Sequence, residues 1–125
     1  MLEYYGNRMG KKSPEVKAKA LQRLIDDFKA IYFAPDDGNQ TWKGSKADLY
    51  EMAYYAYINN VVRDDDGIPA TFAQIVHRLC SRFHLTELAN ASSFARRAIM
   101  RKGVRRPSLL DRYEYRAAVE ASASP

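Results

Sequence analysis

Little in this chain is suited to covalent or metal chemistry. It has a single cysteine, Cys80, so no intrachain disulfide is available, and its apolar helical setting reads as a buried, inert thiol. It has two histidines, His77 and His84. No Cys, Asp or Glu completes a metal-ligand set with them at ordinary spacing, and each reads as a partly buried helix residue. There is no glycine-rich phosphate loop and no GxSxG elbow. Asp64-Asp65-Asp66-Gly67 resembles a calcium loop only in its acids, because the alternation and the closing Glu are missing. A non-enzymatic protein without cofactor or metal is therefore expected, with no small-molecule substrate evident. No apolar run approaches the roughly 18–20 residues that cross a bilayer. The first residues, Met1-Leu2-Glu3-Tyr4-Tyr5-Gly6, lack the basic and apolar blocks of a signal peptide. A cytoplasmic location is expected, with no membrane partner.

What is present is enough apolar material for one domain: 125 residues, 46% hydrophobic, with nine tyrosines. The periodicity is helical almost throughout. Ser13-Pro14-Glu15 reads as cap, first helical position and first-turn acid, followed by Val16, Ala20, Leu21, Leu24, Ile25 and Phe28. Pro35 to Asn39 ends that helix. Ser45 and Asp48 make a capping pattern for a second helix reaching about Asn59, and Trp42 is expected to pack beneath it. Val61-Val62 reads as a very short strand. Thr71 and Gln74 open a third helix, with Phe72, Ile75, Val76, Leu79, Cys80 and Phe83 as its apolar stripe. After the short link His84-Leu85-Thr86, a fourth helix is expected from Glu87 to about Lys102, stopped by Gly103. A fifth starts at Pro107-Ser108 and reaches about Val119. The three packed tyrosines Tyr54, Tyr55 and Tyr57 read as core or interface rather than as a stacking platform. The fold class expected is all-α. Residues 1–38 form an N-terminal helical segment, 39–120 the main domain and 121–125 a disordered tail.

The charge is unevenly placed. From Arg78 to Arg106 there are eight basic residues against one acid, Glu87, a net of +7, while Asp26 to Asp66 carries a net of −5. The whole chain is only +5. Concentrated arginine is the electrostatic footprint of a polyanion binder. The third and fourth helices with their short link match a helix-turn-helix in spacing. On the fourth, Asn90, Ser93, Arg97 and Arg101 recur at helical offsets opposite Leu88, Ala91, Phe94 and Ala98. Arginine can grip guanine with two hydrogen bonds and Asn can pair with adenine, so these four are the residues expected to face bases. Arg96, Lys102, Arg105 and Arg106 are expected to hold phosphates. The expected partner is double-stranded DNA. A homodimer would suit two half-sites about one turn apart, although no coiled-coil seam marks one.

Three stretches carry a family resemblance. Trp42-Lys43-Gly44-Ser45-Lys46-Ala47-Asp48-Leu49-Tyr50-Glu51 is similar to a W-x-G-S-K-x-D-L-x-E block. Ile58-Asn59-Asn60 leads through a turn into the helix from Phe72. Arg101-Lys102 with Arg105 to Asp111 is similar to an R-K-x-x-R-x-x-x-L-D pattern. In these the chain resembles the C-terminal domain of the RteC family, over about residues 40–118. That resemblance implies a winged-helix, helix-turn-helix DNA-binding domain. It also implies a transcriptional regulator acting on excision and transfer genes of a conjugative transposon. Family members are typically longer, so a truncated member or a fragment is expected, and Gly103 to Pro107 leaves room only for a minimal wing. The rival reading is a protein-interaction module whose basic face docks an acidic partner. Double-stranded RNA would offer the same phosphate contacts.

Overall fold

Ser13, Ser45 and Thr71 each accept a hydrogen bond from the amide three residues on, at 3.0–3.1 Å. Each thereby satisfies one of the donors that a helix start leaves orphaned. At Thr71 the bond is reciprocated, with Gln74 Oε1 accepting from the Thr71 amide at 2.8 Å. The computed structural model describes residues 12–101 and 106–123. Five α-helices are found among them: α1 (Pro14–Tyr32), α2 (Lys46–Ile58), α3 (Phe72–Phe83), α4 (Ala91–Ile99) and α5 (Leu109–Ala123). The all-helical expectation is met, with no strand among the described residues. Where a short strand was expected at Val61-Val62, the 61–70 segment makes a tight hairpin turn with one antiparallel bridge, Arg63 to Pro69. Asp64 closes it by accepting from the Asp66 and Ile68 amides, both at 2.9 Å. Gly67 sits at φ +80°, a conformation that side chains resist.

The helices form two groups that share α2. α1 pairs most extensively with α5, while α2 packs against α1, α3 and α4. The common core includes Leu24, Phe28, Leu49, Tyr50, Ile75 and Leu79, all nearly inaccessible to solvent. Burial of each such side chain contributes about 1.5–3 kcal/mol. Cys80 is buried among them as an unpaired thiol, its Sγ 3.7 Å from the Tyr50 hydroxyl. No helix of the described residues is long and apolar enough to cross a membrane.

Trp42 packs at a tilt on Phe83 of α3, with ring centroids 5.7 Å apart. Its Nε1 donates to the Ser45 carbonyl at 2.7 Å. A Cβ on Gly44 would stand 3.1 Å from the Trp42 ring, so the glycine of the W-x-G-S-K block is there to let the indole close over the turn.

The link from α3 to α4 is longer than the sequence implied. His84 ends α3 in the left-handed region at φ 58°. The Leu85 amide then returns to the Cys80 carbonyl at 2.8 Å, a Schellman-type turn. The chain stays irregular to Asn90, so α4 starts at Ala91 instead of Glu87 and ends at Ile99 instead of Lys102. Tertiary contacts explain the delay. The Leu88 amide donates to the Tyr50 hydroxyl at 3.0 Å, and Lys46 Nζ donates to the Thr86 carbonyl at 2.9 Å. Lys46 of α2 thus takes the carbonyl that an earlier first turn would have used, and Tyr50 fixes the Leu88 amide. At the other end, α5 runs on to Ala123, so residues 121–123 are helical where a tail was expected. The expected wing at Gly103 to Pro107 lies largely outside the described residues.

Candidate nucleic-acid interface

α4 divides cleanly into two faces. Ala95 and Ala98 are buried, and Phe94 meets Tyr50 edge-on with ring centroids 5.1 Å apart. Asn90, Ser92, Ser93, Arg96 and Arg97 are exposed on the other side. The small alanines bring the helix close to α2, so the polar side chains project from a well-anchored rod. Asn90 occupies the cap position, but its side chain makes no capping bond and remains available. Neither Arg96 nor Arg97 is ion-paired among the described residues. Of the four residues expected to face bases, three (Asn90, Ser93 and Arg97) therefore lie together on one accessible surface. Arg96, expected to hold a phosphate, is exposed beside them.

Arg101 is placed differently. α4 ends two residues before it, so the helical spacing that grouped it with Arg97 no longer applies. Its guanidinium turns inward, where Nη2 donates to Asp48 at 3.0 Å and to Glu51 at 3.1 Å. Its Nε donates to the Ala98 carbonyl at 2.9 Å. In this arrangement Arg101 faces α2, and the assignment to base edges is corrected. Arg106, expected on a phosphate, also donates to Asp48, at 2.9 Å, although half of its side chain remains exposed. Lys102 and Arg105 lie outside the described residues. The concentrated positive charge is thus partly consumed within the fold.

The acids that consume it are Asp48 and Glu51, three apart on α2 and both buried. Asp48 also accepts from Arg112 of α5. Burial pushes the Asp48 carboxyl up, but the hydrogen bonds from Arg112, Arg106 and Arg101 together outweigh it and hold its pKa at about 2. Glu51 accepts from the Leu109 and Leu110 amides at 2.9 and 3.0 Å, capping the start of α5. For Glu51 burial outweighs the amides and Arg101, and its pKa is raised. The acids of the W-x-G-S-K-x-D-L-x-E block thereby bind Arg101 and Arg106 of the R-K-containing block. Two motifs some fifty residues apart in sequence form one ionic joint between α2, the end of α4 and the start of α5. Sequence reasoning missed this joint. Its signal was present: two acids one turn apart among the apolar positions of α2 need cationic partners if they are buried.

The histidines depart from expectation as well. His77 is exposed, with Nδ1 3.1 Å from Glu87, and His84 is an exposed helix cap. No group of three or more His, Cys, Asp or Glu among the described residues is arranged to hold a metal ion. No protein-family model, no curated protein and no solved structure matches this chain.

Proposed function

We propose that this chain is a DNA-binding regulatory domain of the helix-turn-helix kind, without enzymatic activity. In this reading α3 and α4 are the two helices of the motif and α2 is the helix that braces both. α4 lies in the major groove of double-stranded DNA, where Asn90, Ser93 and Arg97 approach base edges and Arg96 holds a phosphate. Helix-turn-helix recognition helices commonly contact bases from their first turns, and Asn90 and Ser93 stand at that end of α4. The observation that carries the reading is the outer face of α4: three uncharged polar residues and two arginines with no ion pair among the described residues, and no acid between Asn90 and Ile99. The resemblance to the RteC C-terminal domain supports the same reading and extends it to regulation of excision and transfer genes of a mobile element, with a winged-helix arrangement after α4.

Selection of binding sequences from a random duplex library tests the proposal. An enriched motif is expected, and Arg97→Ala should relax its preference at one position by about 1–3 kcal/mol. A library that emerges unenriched would remove the base-reading role. The interaction-module reading draws on a separate observation, the exposed Tyr57, Ile58 and Ile68 near the corner between α2 and α3. Self-association abolished by Ile68→Ser and independent of DNA would favour it.

A further inference from the structure

A groove of about 650 Å³ lies between the loop after α1, the 61–70 hairpin and the outer face of α3. That size falls within the range of small-molecule sites. Three arginines line it, Arg63, Arg78 and Arg82. None is ion-paired to a carboxylate among the described residues. Arg63 Nη1 donates to the Gly67 carbonyl at 2.8 Å, and the Arg78 guanidinium lies over the Tyr32 ring, 5.1 Å from its centroid.

Arg82 is the unusual member. It is 4% exposed, yet its partners are neutral: Gln40 Oε1 at 2.8 Å and the Tyr32 carbonyl at 3.0 Å. Its buried Nε has no acceptor among the described residues. A buried cation without a counter-charge is costly, and such groups are normally paired. The same chain pairs Arg101 and Arg112 with buried acids, so the omission at Arg82 is local. Asp36 and Asp64 also line the groove, but each turns an oxygen to nearby backbone amides: Gly38 for Asp36, and Asp66 and Ile68 for Asp64. Counting both acids as ionised, three arginines leave a net positive charge. Val62, Ile68 and Pro69 supply an apolar wall beside it.

We infer that this groove binds a small organic anion, with a carboxylate or phosphate held by the arginines and an apolar body laid along the hairpin. The site shares no residue with the outer face of α4, and the inference does not depend on the DNA reading. The two acids favour a ligand of low charge over a polyanion.

The test is an NMR titration of the whole chain with benzoate, phenyl phosphate, inorganic phosphate and benzyl alcohol. Saturable shifts confined to the groove are expected with benzoate or phenyl phosphate, and whichever binds more tightly identifies the head group. Benzyl alcohol should bind at least about tenfold more weakly, since it lacks the charge that the arginines recognise. Arg78→Gln, an exposed change that leaves the core intact, should weaken anion binding by about tenfold or more. Arg63→Gln provides a second such variant. Absence of saturable binding by both organic anions would overturn the inference, as would affinities unchanged in both variants. It would equally fall if inorganic phosphate bound as well as phenyl phosphate and Arg78→Gln weakened binding to duplex DNA. The groove would then be part of a nucleic-acid footprint.

Discussion

Replacing Asp48 by Asn removes the one carboxylate that three arginines share while nearly preserving shape. The Asp48 pKa falls from an ordinary 3.8 to about 2 in the fold. At 1.36 kcal/mol per pH unit, ionised Asp48 favours the folded state by about 2–3 kcal/mol near neutral pH. Breaking a buried ionic pair typically costs about 3–5 kcal/mol, so the two figures meet near 3 kcal/mol. That is a large part of the roughly 5–15 kcal/mol that holds a domain together. With a urea slope of about 2 kcal/mol per molar, the unfolding midpoint should drop by about 1.5 M. The single tryptophan, Trp42, which contacts Phe83, provides the fluorescence signal.

The pH dependence follows from the direction of the shift. The folded carboxyl gives up its proton more readily than the unfolded one. Its contribution is complete above the ordinary carboxylate range and is lost as pH falls toward 2. About half should remain near pH 3. Glu51 runs the other way, because burial raises its pKa and protonation relieves the fold. The difference between wild type and Asp48→Asn isolates Asp48 from that opposing effect. Equal midpoints near pH 7, or a gap that stays constant from pH 7 to pH 3, would refute the ionic-joint account.

Arg101→Ala should lower stability by about 1–3 kcal/mol, since Glu51 loses the one guanidinium partner it has among the described residues and Asp48 keeps two others. Its duplex affinity, measured where the variant is folded, should change less than about threefold, and a tenfold loss would return Arg101 to the interface. Trp42→Ala should cost about 2–4 kcal/mol, at or below the usual value for a buried aromatic because Trp42 is only half-buried. An unmoved urea midpoint would refute its packing role. Gly44→Ala should destabilise by about 1–3 kcal/mol through the contact of its Cβ with the indole, and a stability equal to wild type would show that the ring moves aside at no cost.

The helices were legible in the sequence where their start signals are local. Ser13, Ser45 and Thr71 each cap the helix that their spacing implied, because a hydroxyl and an amide three residues away need nothing else from the fold. The start of α4 was not legible. Thr86 has the chemistry of a cap, but Lys46 and Tyr50, some forty residues earlier, engage the backbone at Thr86 and Leu88. The same distinction applies to the candidate interface. Asn90, Ser93, Arg96 and Arg97 share an accessible surface because they lie within about two turns at the cap and start of one helix. Arg101 left that surface when the helix ended at Ile99, and its partners on α2 are linked to it by tertiary structure alone. Arg82 falls outside any periodic reading: it sits among the apolar residues of α3 and is buried with neutral partners, which spacing alone cannot foretell.

The central claim is that the outer face of α4 binds duplex DNA. The direct measurement is fluorescence anisotropy with a mixed-sequence duplex of about thirty base pairs at two salt concentrations, for wild type and for Arg96→Ala/Arg97→Ala. Micromolar binding is expected for wild type, with a log–log salt slope of about −0.9 for each phosphate neutralised. The double variant should bind much more weakly and with a shallower slope. No binding at low salt, or binding that the double variant leaves unchanged, would contradict the claim.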